Sequence, residues 1–371
     1  MHKRLATIAT ITALCSPIAL LAADKEEEDE GVEFYGHVGY ELQFLDDDIS
    51  QADGLDWGAY LSRIGLRNSH TINDQLKATY QVESFILHGP SGDDIGFRNT
   101  YGGLKSERFG ELRVGRHDTP YKRANLPFFA GANMLFDNAQ GAGTGLGQWN
   151  TALGKDDKDD DDEFNTIQRN RGFIAQRFQR WHGTLHYISP QVHGLTLEAA
   201  MRPVQEQDED NAWSDNWVDY SASLTYRLGE SWMFNAAYES EGAIDDKGAG
   251  GRGVYRTWLA GALFTATEWL TLGAQFENLD IDVNSDINGD LMRLMVPIKL
   301  SFGDYYVNTF LKYDDFDYED DDGSTDDEWF DIGMQAGYYL DPEHNTQIYA
   351  AAGSAEDIEA VNYAVGFRYQ W

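Results

Sequence analysis

The most regular feature of the chain is strict alternation of apolar and polar residues over segments of about ten positions, broken by turn residues, from residue 33 to the end. In the last segment Val361, Tyr363, Val365, Phe367, Tyr369 and Trp371 share one face, and Asn362, Ala364, Gly366, Arg368 and Gln370 share the other. Successive side chains of a β-strand point to opposite sides, so a period of two describes a strand with one face in lipid and one in water. Near the start, Phe34, Val38, Tyr40, Leu42 and Phe44 oppose His37, Glu41 and Gln43 in the same way. Apolar faces recur at Leu76, Tyr80 and Val82, at Leu195, Leu197 and Met201, and at Val218, Tyr220, Leu224 and Tyr226. They continue at Leu270, Leu272, Ala274 and Phe276, at Leu294, Val296, Ile298 and Leu300, and at Phe330, Ile332, Met334 and Tyr338. The segments number about sixteen, and roughly 348 mature residues leave about 22 for each strand with its connection. The pattern predicts an all-β chain of one domain, a transmembrane antiparallel β-barrel of about 16 strands.

The connections alternate in length, and that orients such a barrel, with short turns on the periplasmic side and long loops outside. Asn73-Asp74, Gly229-Glu230, Gly303-Asp304 and Asp341-Pro342-Glu343 are short. Residues 46–56, 205–216, 242–253, 316–328 and, longest of all, about 119–172 are acidic or glycine-rich loops. A soluble β-sandwich would alternate too. It would not concentrate Trp217, Trp232, Trp258, Trp269, Trp329 and Trp371 at strand ends, where an indole suits a membrane interface.

Residues 1–23 carry the layout of a secretory signal peptide: Met1-His2-Lys3-Arg4, an apolar run from Leu5 to Leu21, then Ala22-Ala23. The barrel then occupies residues 24–371. The one cysteine, Cys15, lies within this leader behind the bulky Leu14, a poor setting for lipid attachment, so the mature chain has neither disulfide nor thiol nucleophile. Beyond the leader no apolar run approaches the roughly 20 residues of a spanning helix.

The net charge of −35 excludes a nucleic-acid partner. Most of the acids fall in clusters between strands, where they keep loops in water, and the same clusters at a barrel mouth would attract cations. The run Asp156–Glu163, interrupted by Lys158, lacks the turn glycines and alternate spacing of a calcium loop. No metal or cofactor is implied. Nor is catalysis: there is no Gly-x-Ser-x-Gly elbow, no His-Glu-x-x-His pair and no phosphate loop. His182 and His186 read as sharing a lumen face, but four residues is about 13 Å along a strand, too far to hold one metal together.

Several stretches carry a family resemblance. The ending Gly366-Phe367-Arg368-Tyr369-Gln370-Trp371 resembles the terminal strand of Gram-negative porins, whose C-terminal aromatic is read by the barrel assembly machinery. Arg98-Asn99-Thr100-Tyr101-Gly102-Gly103-Leu104-Lys105, with Phe109-Gly110 and Gly115-Arg116-His117-Asp118-Thr119-Pro120, resembles the strand pair before the third loop of the general, trimeric diffusion porins. Leu185-His186-Tyr187-Ile188-Ser189-Pro190 resembles the strand after it, and Phe34-Tyr35-Gly36 and Ser62-Arg63-Ile64-Gly65-Leu66 fit the opening strands.

The resemblance implies a homotrimer in outer-membrane lipid and lipopolysaccharide, passing small hydrophilic solutes and ions, with a long third loop folded into the pore. It implies a constriction whose basic side is His37, Arg63, Arg116 and Arg180, with Arg177 an alternative to the last. Opposed charges across a narrow aqueous neck order water and select by size and charge. The acidic motif of the family's inward loop is replaced here by Leu126-Pro127-Phe128-Phe129-Ala130-Gly131. Asp137 is then the candidate for the acidic side, with Asp118 the alternative. Phe367, Tyr369 and Trp371 form the assembly signal. The balance of acids favours a cation-preferring pore. A substrate-specific porin with a solute-binding track, an adhesin and a barrel lipid hydrolase are the alternatives.

Overall fold

In the computed structural model the described residues are 31–371 apart from 46–53, 90–91, 129–179, 208–212, 243–253, 285–286, 321–322, 344 and 356–359. The leader with Cys15, Asp137, the Asp156–Glu163 run and Arg177 lie outside them. The strands are β1 (Glu33–Leu45), β2 (Gly54–Asn73), β3 (Leu76–Gly89), β4 (Gly92–Phe97), β5 (Thr100–Ser106) and β6 (Gly110–Asp118). After α1 (Pro120–Asn125) and a 3₁₀ turn (Leu126–Phe128) come β7 (Arg180–Ile188), β8 (Leu195–Gln207), β9 (Trp213–Leu228), β10 (Trp232–Gly242) and β11 (Val254–Thr267). The chain closes with β12 (Leu270–Asn284), β13 (Ile287–Phe302), β14 (Tyr305–Asp320), β15 (Gly323–Asp341), β16 (Thr346–Ala355) and β17 (Ala360–Gln370).

Strand pairing is antiparallel between neighbours, and β17 returns to β1, with Val38 opposite Tyr369 and Leu42 opposite Val365. β4 and β5 both pair with β3 and are two halves of one stave, interrupted at Arg98 and Asn99. Seventeen strands thus make a closed barrel of sixteen staves, as the periodicity predicts. Closure leaves no unpaired sheet edge, the condition for a β-structure to cross a bilayer, where no water can satisfy a peptide group.

The alternation sorts side chains as the sequence predicts. Tyr363, Val365, Phe367 and Tyr369 are exposed on the outer face, as are Val218, Tyr220, Leu294 and Ile332. Asp219, Ser221, Arg293, Met295 and Glu41 are buried on the inner one. At one rim the outer face carries paired rings: Trp232 stacked on Phe264 at 4.3 Å, Tyr305 tilted against Tyr338 at 4.8 Å, and Tyr369 stacked on Trp371 at 5.8 Å. This rim holds the short turns. There the Asn73 side chain accepts from the Gln75 N–H at 3.0 Å, and Gly229 and Gly303 adopt φ of 61° and 65°, which favour glycine.

Three expectations change. The acidic stretch 316–328 is largely strand, with Phe316 opposite Asp327 and Tyr318 opposite Thr325, so β14 and β15 continue as a hairpin with only residues 321–322 between them. Its acids alternate with aromatic and small residues, which suits a two-stranded ribbon in water better than a loop. For the same reason Trp217, Trp258 and Trp329 lie inside β9, β11 and β15 and not at their ends. Strands of 16 to 19 residues outrun the roughly 9–11 that a bilayer needs. β7 begins at Arg180, beyond the expected end of the third loop near residue 172.

Candidate functional site at the base of the third loop

The third loop leaves β6 through a capped turn. Thr119 is the N-cap of α1, its hydroxyl accepting from the Lys122 N–H at 3.2 Å, and Pro120 fits the first helical position because no amide is needed there. The segment then packs on inward-facing residues of β9 to β12. The Tyr121 N–H donates to Ser221 Oγ at 3.0 Å, and the Tyr121 hydroxyl meets Glu277 and Thr257. Asn235 donates to the Ala124 carbonyl at 2.6 Å, and Gln275 to Asn125 Oδ1 at 3.0 Å.

Beyond these polar bonds Phe128 is fully buried among Met233, Leu263, Met295 and Phe310. Its ring lies so close over Gly261 that a Cβ there would sit 2.3 Å from it. Phe128, with buried Pro127 before it, is therefore an apolar anchor matched to an apolar patch of the inner wall. Residues 129–179 lie outside the described residues.

On the adjoining wall, where the loop starts, charge dominates. Glu83 of β3 receives Arg98 at 2.9 Å, Arg63 at 3.7 Å and the Tyr35 hydroxyl at 3.1 Å. Asp118, at the end of β6, receives Arg180 and Lys122, each at 3.0 Å, and the Asn99 amide at 2.9 Å. Arg98 and Arg63 are near enough to act electrostatically on Arg180, so the two groups form one network. Burial, with the positive charge of Arg180 beside it, pushes the Lys122 ammonium down to about 8, while Asp118 acts the other way.

A second network lies next to it. Arg113 pairs with Glu111 at 2.8 Å and lies over the Tyr101 ring, and Arg123 of α1 pairs with Glu198 at 2.8 Å. Glu198 also holds His186 Nε2 at 3.0 Å, and the His186 ring lies tilted against His117, 4.7 Å between centroids. On the docking wall, Arg293 makes a bidentate pair with Asp314 at 2.7 and 3.0 Å, and Lys312 joins at 2.9 Å, all buried.

Of the residues singled out from sequence, His37 and Arg63 are cross-strand neighbours, and Arg368 reaches His37 at 3.3 Å. Asp118 and Arg180 also come together, but as adjacent partners on one wall and not as charges facing each other across a gap. Arg116 lies opposite Thr100, half-buried, its Nε without a hydrogen-bond partner among the described residues. Asp137 lies outside the described residues. Trp371 exchanges backbone hydrogen bonds with Gly36 at 3.1 and 3.2 Å, and its ring covers that glycine so closely that a Cβ would meet it at 2.7 Å.

His182 and His186 do not share a face. Gly183 takes φ 67° and the register with β6 slips there, so Trp181, Thr184 and His186 are buried while His182 is exposed. Sequence reasoning also missed Arg98, Glu83, Tyr121 and the Arg293–Asp314 pair. For the last, period two and the register that places Arg293 opposite Asp314 supplied a signal.

A closed sixteen-stave barrel with an apolar exterior, an aromatic rim and a charged lumen is the architecture of an outer-membrane channel. The family model described as Gram-negative porin matches residues 6–359, and the chain belongs to that family. The protein is an outer-membrane porin, and family and fold point to a channel and not to an enzyme. Among solved structures, the anion-selective porin from Comamonas acidovorans is similar at a TM-score of 0.65 and 15% identity, covering 92% of this chain and 99% of that one. OmpT of Vibrio cholerae in its trimer form is similar at 0.63 and 18%, covering 92% and 99%. Salmonella typhi OmpF is similar at 0.61 and 17%, covering 92% and 97%. No curated protein matches the sequence.

Proposed function

We propose that the protein forms a water-filled diffusion pore that passes ions and small hydrophilic solutes without catalysis, prefers cations, and works as a homotrimer. The observation that carries this reading is the course of Thr119–Phe128, which starts on the cationic wall and is bonded to the inner faces of β9 to β12. The third loop continues inside the lumen from that anchorage and narrows it. His37, Arg63, Arg116 and Arg180, joined by Arg98, form the basic side of the neck. Asp137 supplies the acid on the loop side, and Asp118 serves to hold Arg180 and Lys122 in place.

Cation preference follows from the net charge of −35, because acids on the outer loops raise the local cation concentration before the neck is reached. The homotrimer is supported by the trimer form of Vibrio cholerae OmpT. Phe367, Tyr369 and Trp371 present the outward aromatic edge that the barrel assembly machinery reads, and lipopolysaccharide surrounds the long-loop side.

Single-channel recording of purified protein in planar bilayers under a potassium chloride gradient tests this reading. Stepwise openings in threes with a cation-sided reversal potential are expected. Solute-blockable, saturable current would instead mark a substrate-specific porin. A folded barrel without conductance would move the reading to an adhesin or a lipid hydrolase, which fatty-acid release from vesicles separates.

A further inference from the structure

The stave made of β4 and β5 carries one residue too many at its middle. Gln81 lies opposite Tyr101 and Ser84 opposite Phe97, so two residues of β3, Val82 and Glu83, face three, Arg98, Asn99 and Thr100. An extra residue of this kind is a β-bulge, which bends a strand and re-aims its side chains. Arg98 keeps its backbone bond to β3, its N–H donating to the Glu83 carbonyl at 2.7 Å, and sends its guanidinium to the Glu83 carboxylate. Thr100 is already paired with β6, opposite Arg116. Asn99, between them, reaches the end of β6 with its side chain.

There a side chain takes over from the backbone ladder. Thr100 and Arg116 are the last pair between β5 and β6, and two residues farther on the Asp118 N–H donates to Asn99 Oδ1 at 3.0 Å. Asn99 Nδ2 in turn donates to Asp118 Oδ2 at 2.9 Å. A carboxamide offers an acceptor and a donor side by side, so one residue fixes both the main chain and the side chain of Asp118. The other side of Asp118 is irregular too. Gly115 lies opposite Thr184 and His117 opposite Trp181, so one residue of β6 faces two of β7.

The second carboxylate oxygen, Oδ1, pairs with Lys122 Nζ and Arg180 Nε, each at 3.0 Å. Lys122 belongs to α1, by which the chain leaves the wall, and Arg180 opens β7, by which it returns. Asn99 therefore occupies one oxygen of Asp118 and leaves the other to face both cations.

We propose that Asn99 is a positioning residue of the pore: through Asp118 it fixes the points at which the chain leaves and rejoins the wall, and so sets the place of Arg180 in the neck. This rests on the reading of the third loop and its flanking basic residues as the constriction. Alanine or serine in its place does not span the distance to Asp118, and the carboxylate is then held by its two cations alone.

A double-mutant cycle of Asn99→Ala and Asp118→Asn in the full mature protein tests this, read by single-channel recording in planar bilayers. In Asn99→Ala the conductance should rise, the open channel should be noisier, and the reversal potential should shift. The selectivity step that Lys122 produces near pH 8 should move to lower pH, because Asp118 favours the charged ammonium while burial, Arg180 and Arg98 oppose it. In the Asp118→Asn background Asn99→Ala should add nothing to either shift. If Asn99→Ala does not fold, Asn99→Ser, which keeps a polar group at the bulge, carries the same expectations. Wild-type conductance, reversal potential and pH step in the single variant overturn the proposal. So does a shift that is equally large with and without the Asp118 carboxylate, since Asn99 then acts on its own. The same cycle read as melting temperature in detergent needs no conducting pore, and additive losses there also overturn it. A wild type that does not conduct fails the channel reading instead.

Discussion

The wall built by β2 to β8 and the wall built by β9 to β14 face the same lumen and are made differently. The first carries part-exposed arginines that share carboxylates, as Arg63 and Arg98 share Glu83. The second keeps its charges fully buried, as in Arg293 with Asp314, and otherwise offers neutral hydroxyls, amides and an apolar patch to the incoming chain. The difference separates two tasks. Charges proposed to act on passing ions stay in contact with water, where pairing contributes little to stability. A docking surface must release water, so its charges are internally paired and its contacts are apolar.

The largest expected effect comes from breaking the docking wall. Asp314→Ala leaves Arg293 and Lys312 buried without their shared carboxylate, which costs about 3–5 kcal/mol. Denaturant unfolding followed by circular dichroism should show that loss, whereas Arg63→Gln on the other wall should change stability by no more than about 1 kcal/mol. Equal losses at the two sites would remove the distinction. Next, Phe128→Ala empties the apolar seat. It should cost about 3–5 kcal/mol of loop docking while sparing the strands. Higher single-channel conductance and noisier openings at an unchanged melting temperature are the expected signature.

On the cationic wall, replacing Arg63 and Arg116 together by glutamine should raise cation preference and widen the conducting neck. Reversal potential and conductance equal to wild type would remove both residues from the neck. The smallest effect concerns Lys122. Its ammonium is pushed down to about 8, so it is charged at pH 7 and largely neutral at pH 9. Deprotonation removes one positive charge beside Asp118 and Arg180, and cation preference should therefore increase modestly as pH rises through 8. Lys122→Arg, which stays charged, should abolish that step.

Much of the architecture was legible in the sequence. The faces of β1, β9, β13 and β17, the turns at Asn73, Gly229 and Gly303, and the closing role of the last strand all follow from local pattern. Where the reading failed, a local irregularity or a long-range contact intervened. One positive φ at Gly183 turned His182 outward, and the acids of 316–328 paired across a hairpin that composition alone marks as a loop. Tyr121 gives no sign by itself that it will meet Ser221, Thr257 and Glu277, the last 156 positions away.

A period of two states which side chains look inward, because each strand makes that choice residue by residue, and the sequence by itself determined that for the whole barrel. Which inward residues meet is a property of closure and register. These are fixed only when β17 has joined β1 and the start of the third loop has found its seat, so the docking wall with its buried ion pairs and the cationic wall were decided by the tertiary structure.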